Sequence, residues 1–115
     1  MTEAIPGGLS VANDVIADMA GYAALESYGI VGMATPTLTD GIAKLLPASR
    51  LRRGITVTLG DEGVHVDLYV IVEYGTNVAE VSRNLAERVA FVLSDSAQLD
   101  VAGVEVHVQG IKVRS

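Results

Sequence analysis

From Gly54 onward, apolar and polar residues alternate with the period of two expected of half-buried strands. Ile55, Val57 and Leu59 alternate with Thr56 and Thr58, and Val64, Val66, Leu68, Val70 and Val72 alternate with His65, Asp67, Tyr69, Ile71 and Glu73. Between the two runs, Gly60-Asp61-Glu62-Gly63 is a turn with glycine at both ends, the chemistry that closes a hairpin. Each strand thus has one apolar and one mixed face, as in an antiparallel sheet covered on one side. Gly75 ends the second strand, and the period then changes. Val78, Val81, Leu85, Val89 and Val92 fall on one narrow helical stripe, which predicts a helix packed on the sheet. Its opposite side carries Glu80, Arg83, Asn84 and Glu87, and Phe91 lies on this polar side too. Asn77 and Glu80 have capping-box spacing: the Asn77 side chain accepts from the Glu80 amide, and the Glu80 carboxylate reaches back to the Asn77 amide. After a turn around Asp95 to Gly103, Val104, Val106 and Val108 alternate with Glu105, His107 and Gln109. Ile111 and Val113 then fall in phase with the polar set, so a bulge is expected at Gly110.

The first half is less regular. Residues 1–8 end in Pro6-Gly7-Gly8 and read as a loose lead-in. Ser10 is a candidate N-cap for a helix running to about Ser27, with Val11, Val15, Met19 and Tyr22 as its buried stripe. Ala12, Ala17, Ala20, Ala23 and Ala24 favour helix and allow a close approach to a neighbour. Gly29 supplies a helix-ending position, and Ile30 to Thr35 reads as a short strand. Between Leu38 and Leu46 a short helix is compatible with the pattern, interrupted by Gly41 and flanked by Pro36 and Pro47. The 36–53 connection is long for a structureless loop in a compact domain. The expectation is a single domain over 1–115, α+β and two-layered. It has a mostly antiparallel three- or four-stranded sheet with two helices on one face, in the order α-β-β-β-α-β. Its best-defined part is the ββαβ unit of 54–110.

Composition narrows the function classes. The chain of 115 residues is half apolar, with one Phe, no Trp and no cysteine. This excludes a disulfide scaffold, a zinc–thiolate site and a cysteine nucleophile. No apolar run approaches the ~18 residues of a membrane span, and the acidic N-terminal stretch lacks the basic start of a secretory signal. The expected location is the cytoplasm, without direct membrane insertion. A net charge of −6 argues against nucleic acid, whose affinity comes mainly from phosphate neutralisation. The sheet face offers only Tyr69 for stacking on a base. The charge is uneven, however. Residues 1–40 carry five acids and no Lys or Arg, while Lys44, Arg50, Arg52 and Arg53 cluster in one short stretch. That stretch reads as a solvated loop, or as a patch for an acidic surface such as a sister subunit's N-terminal half.

Candidate chemistry is sparse. The two histidines, His65 and His107, stand beside Asp67 and Glu105 on strands. If those strands are neighbours, the four side chains share the mixed face, as a solvent-facing polar surface or as a metal or proton-transfer cluster. There is no GxSxG elbow, phosphate loop or dinucleotide-binding glycine pattern, so no catalytic residue, enzyme activity or cofactor is expected. Phe91, Tyr69 and Ile71 are candidate interaction residues, since aromatics concentrate at interface centres and open sheet edges invite pairing.

The runs Gly54-Ile-Thr-Val, Val66-Asp-Leu-Tyr-Val-Ile-Val-Glu-Tyr-Gly75, Asn77-Val-Ala-Glu-Val81 and Val104-Glu-Val-His-Val-Gln-Gly110 together resemble the alkaline-shock protein family of Gram-positive bacteria, linked to envelope stress. Weaker similarity covers the first helix and Gly29-Ile-Val-Gly-Met33. Two departures stand out: Ala34-Thr35-Pro36 replaces a more glycine-rich stretch, and Ala97-Gln98 stands where Thr-Gly is common. The resemblance implies a non-enzymatic scaffold or adaptor that forms homo-oligomers and sits near the membrane through a membrane-anchored protein partner. The alternative, from the residues alone, is a small-ligand or metal-binding module using the mixed sheet face.

Overall fold

The computed structural model describes residues 6–37 and 44–113. A helix α1 (Pro6–Leu25) is followed by a short strand β1 (Ile30–Met33) and, after a 3₁₀ run at Ala48–Gly54, by strands β2 (Ile55–Gly60) and β3 (Gly63–Glu73). Helix α2 (Val78–Phe91) continues into a π turn at Val92–Ser96 and leads to strand β4 (Val101–Lys112).

β3 is the spine of the sheet. Along one side it pairs in parallel with β4 over nearly its whole length. Its other side is shared end to end by β2, which pairs antiparallel with residues 63–68, and β1, which pairs antiparallel with residues 70–72. Two of the three pairings are antiparallel, and the parallel one follows from the β3–α2–β4 crossover, since parallel strands need a long connection that a helix supplies. The expected two-layer α+β architecture and element order are therefore present. One core cluster joins Val64, Val66, Leu68, Val70 and Val72 of β3 to Ile16, Ala20 and Ala24 of α1 and to Val81, Leu85 and Val89 of α2, so both helices cover the same sheet face. Full burial of a side chain such as Leu85 contributes roughly 1.5–3 kcal/mol.

Local chemistry explains the boundaries. Gly63 closes the β2–β3 turn at φ 124°, where a Cβ would lie 2.3 Å from the Asp100 carbonyl oxygen. The Asn77 side chain accepts from the Glu80 amide at 3.0 Å. The reciprocal half of the expected capping box does not form: the Glu80 carboxylate turns to Arg83 instead, at 3.9 Å. The expected bulge is present. Val70 pairs with Val108 but Ile71 with Gly110, leaving Gln109 as the extra residue and returning Ile111 to the helix-side register opposite Val72. A second irregularity leaves Ala102 unpaired between Val101 and Gly103.

α1 departs from the sequence reading in two ways. It runs through Pro6-Gly7-Gly8, the stretch read as a lead-in, and Ser10 lies inside it rather than at its cap. The buried face is also the other one. Ile16, Ala17, Ala20, Ala23 and Ala24 face the core, while Val15 is 50% exposed and Tyr22 66%; Met19 is partly buried, and the side chain of Val11 lies outside the described residues. Small alanine side chains let the helix axis approach the sheet more closely than a valine–tyrosine stripe permits. The short helix expected between Leu38 and Leu46 falls mostly outside the described residues; Leu45 bridges Ala34.

Candidate functional site

The mixed face of the sheet gathers both histidines. Parallel pairing sets Asp67 directly opposite Glu105 and Tyr69 opposite His107, with His65 one step along beside Gly103. The His107 Nε2 and Asp67 Oδ1 lie 2.9 Å apart, a hydrogen bond, and the His107 ring stacks on Tyr69 with centroids 4.5 Å apart. His65 Nε2 stands 3.5 Å from Asp67 Oδ1 and 3.6 Å from Glu105 Oε2. His107 Nε2 is 3.8 Å from Glu105 Oε1. The four side chains read from the sequence as sharing a face therefore converge. Tyr69 serves as the plate against which His107 lies, and its ring is engaged within the chain. Asp67 is the most buried of the four and Glu105 the most exposed, at 61% of its side chain.

Gly103 explains how His65 reaches the carboxylates. A Cβ at 103 would lie 3.1 Å from His65 Nδ1, so the bare backbone leaves room for the imidazole to lean over β4. Sequence reading missed this glycine, although its place between two apolar residues of a strand is the usual signal for a close approach.

The remaining candidates scatter. Ile71 is only 3% exposed, so it forms no part of a free surface, in contrast to its reading as an interaction residue. Nearby, the Gln109 side-chain amide donates to the Thr35 and Pro36 carbonyls at 3.0 and 2.9 Å, tying that loop to the bulge of β4. Arg52 is also engaged within the chain. Its Nε and Nη2 donate to the two oxygens of Asp18 at 2.7 and 2.8 Å, and Nη1 lies 3.4 Å from Asp14. Within the chain, acidic residues of the N-terminal half thus take up this basic residue. Hydrogen bonding from Arg52 holds the Asp18 carboxyl below its ordinary value, and the same bond raises Arg52 above its own. Arg50 and Arg53 are exposed and form no ion pair among the described residues.

Phe91 stands out on α2, 63% exposed. It borders a groove of about 520 Å³ lined by Glu87, Ser94, Leu99, Val101 and Val104, among others. This groove runs beside β4, whose far edge pairs with no strand among the described residues. Between the irregularities at Ala102 and Gln109, β4 is regular from Val104 to Val108. The exposed stripe of α1, at Val15 and Tyr22, was missed at the sequence level. The helical spacing of Ile16, Ala20, Ala23 and Ala24 is the signal that would have assigned the buried face correctly and left this stripe outside.

Among the described residues, no helix is long and apolar enough to cross a membrane. Comparison with known proteins places these features in a family context. The chain is 39% identical over 108 residues to the protein YloU of Bacillus subtilis, covering 93% of this chain and 90% of that one. It is 39% identical over 108 residues to Spy1614 of Streptococcus pyogenes, covering 93% and 89%. A stress response regulator gls24 homolog of Streptococcus pyogenes is 29% identical over 114 residues, covering 99% of this chain and 64% of the relative. Among solved structures, a zinc form of a MamM CTD variant shares the fold with a TM-score of 0.50 at 11% identity, covering 89% of this chain and 86% of that one. The family model described as alkaline shock protein 23 family, cell envelope-related function, matches residues 1–113, and the chain belongs to that family.

Proposed function

We propose that this protein is a non-enzymatic scaffold or adaptor of the envelope stress response, working by association with further copies of itself and with a membrane-located protein. The family's envelope-related function and the stress-regulator relatives support the physiological setting. The observation that carries the mechanism is the β4 edge with Phe91 beside it. A strand of 12 residues that ends a sheet presents a row of unpaired N–H and C=O groups, a template for another strand. Val104–Val108 is its regular stretch, and Phe91 with the neighbouring groove supplies the apolar contact that strand pairing alone lacks. The occupant is a second copy of the chain, joined edge to edge so that two sheets become one. The exposed Val15 and Tyr22 of α1 remain free for the membrane-located protein.

Light scattering over a concentration series tests the association. The expected result is a mass that rises with concentration for the native chain and stays monomeric for Phe91→Asp. A strict monomer for the native chain at high concentration overturns the reading.

A further inference from the structure

The cluster on the mixed sheet face sets two carboxylates against two imidazoles. Asp67 and Glu105 are directly opposed across β3 and β4, and like charges in that position repel. Among the described residues neither carboxylate has a Lys or Arg partner; their ionic neighbours are His65 and His107 alone.

His65 does not resolve this by hydrogen bonding. Its Nε2 lies 3.5 and 3.6 Å from the two carboxylates, beyond the 2.7–3.2 Å range of a sound N–H···O bond. These distances have another meaning. Ligand atoms about 2.0–2.2 Å from a tetrahedral metal ion are separated from one another by roughly 3.3–3.6 Å. Two edges of such a polyhedron are therefore already in place, and the ligand atoms of His65, Asp67 and Glu105 all lie within 4.8 Å of one another.

We propose that His65, Asp67 and Glu105 bind one divalent transition-metal ion of the zinc type, leaving a coordination position open to solvent or to a ligand. One imidazole with two carboxylates is a donor set suited to such an ion, whereas calcium and magnesium favour oxygen alone. His107 is the positioning residue. It holds Asp67 through the 2.9 Å hydrogen bond and is itself fixed by stacking on Tyr69, the supporting role that outer partners play around metal ligands. Gly103 keeps open the space through which the His65 ring reaches the site. The strands supply a rigid frame, because both carboxylates project from paired positions of a two-strand ladder.

The test is calorimetric titration of the untagged chain with Zn²⁺, repeated with Co²⁺ while its visible spectrum is recorded. The expected result is one ion per chain, with the strong Co²⁺ absorption of a four-coordinate site. His65→Ala and Glu105→Gln each weaken binding at least tenfold. His107→Ala weakens it about 10- to 100-fold, as outer partners do, while the stoichiometry stays at one. Phe91→Asp leaves binding unchanged, which separates this site from the association surface. Because the side chains lie on an open face, circular dichroism should show the variants folded. In the native chain, the ring protons of His65 should shift or broaden on adding Zn²⁺, a readout that needs no variant. Absence of binding at 100-fold excess of Zn²⁺ over chain overturns the proposal, and so does binding that His65→Ala leaves intact.

Discussion

Single residues decide this fold where backbone and side chains crowd. Gly63 and Gly75 both have positive φ, at 124° and 93°, but only Gly63 is hemmed in. A Cβ there meets the Asp100 carbonyl at 2.3 Å, whereas at Gly75 no atom of the described residues lies within 4 Å. Gly75→Ala should therefore cost about 1 kcal/mol of backbone strain, and Gly63→Ala well over twice that, as measured by urea denaturation. Gln98 is the converse case: it holds φ 55° at a position where the family resemblance leads one to expect glycine. Gln98→Gly relieves a left-handed penalty of about 1–2 kcal/mol against a loss of about 0.5–1 kcal/mol in chain entropy. A small net stabilisation is the expected outcome of the same denaturation assay. The Arg52–Asp18 pair makes a pH-dependent contribution. Asp18 titrates below its ordinary value because it accepts hydrogen bonds from Arg52. Its stabilisation is therefore present above the unfolded carboxylate value near about pH 4 and is lost as pH falls through the lower folded value. Thermal melts should show native chain and Arg52→Gln differing at neutral pH and converging in strong acid.

Elements were legible in the sequence wherever one period persisted. β2, β3, α2 and β4 each show a sustained repeat, and the parity break in β4 even announced its bulge. α1 was located, but its face was inverted. Valine and tyrosine at helical spacing compete with a stripe of alanines, and hydrophobicity alone favours the larger residues. Close packing against the sheet favours the smaller ones, a tertiary requirement that decides between two stripes which both have helical spacing. The 36–53 connection has no period, so only Pro36, Pro47 and the basic stretch marked it, and the partner of Arg52 was beyond local reading. The assignment of α2 can be tested directly. Leu85 is fully buried, so Leu85→Asp should cost about 4 kcal/mol or more and unfold the domain. Glu87 is exposed, and Glu87→Ala should stay within about 0.5 kcal/mol. Equal melting temperatures for the two variants would contradict the packing of α2 described above.

At the scale of the whole molecule, the arrangement separates three surfaces. The helix layer buries one face of the sheet, and the open face carries the histidine–carboxylate cluster. Among the described residues, the far edge of β4 pairs with no strand, and Phe91 stands exposed beside it. The cluster was foreseeable as a set of residues sharing a face, but its convergence depended on β3 and β4 being neighbours, a long-range pairing that alternation cannot specify. The groove beside Phe91 depended likewise on where α2 lands relative to β4. In the proposed association this edge is the surface that meets a second copy. Hydrogen–deuterium exchange at low and high protein concentration tests it residue by residue. Edge-to-edge association predicts that amides between Val104 and Val108 exchange more slowly at high concentration, while those of the β2–β3 turn are unchanged. Identical exchange of the Val104–Val108 amides at both concentrations would contradict it.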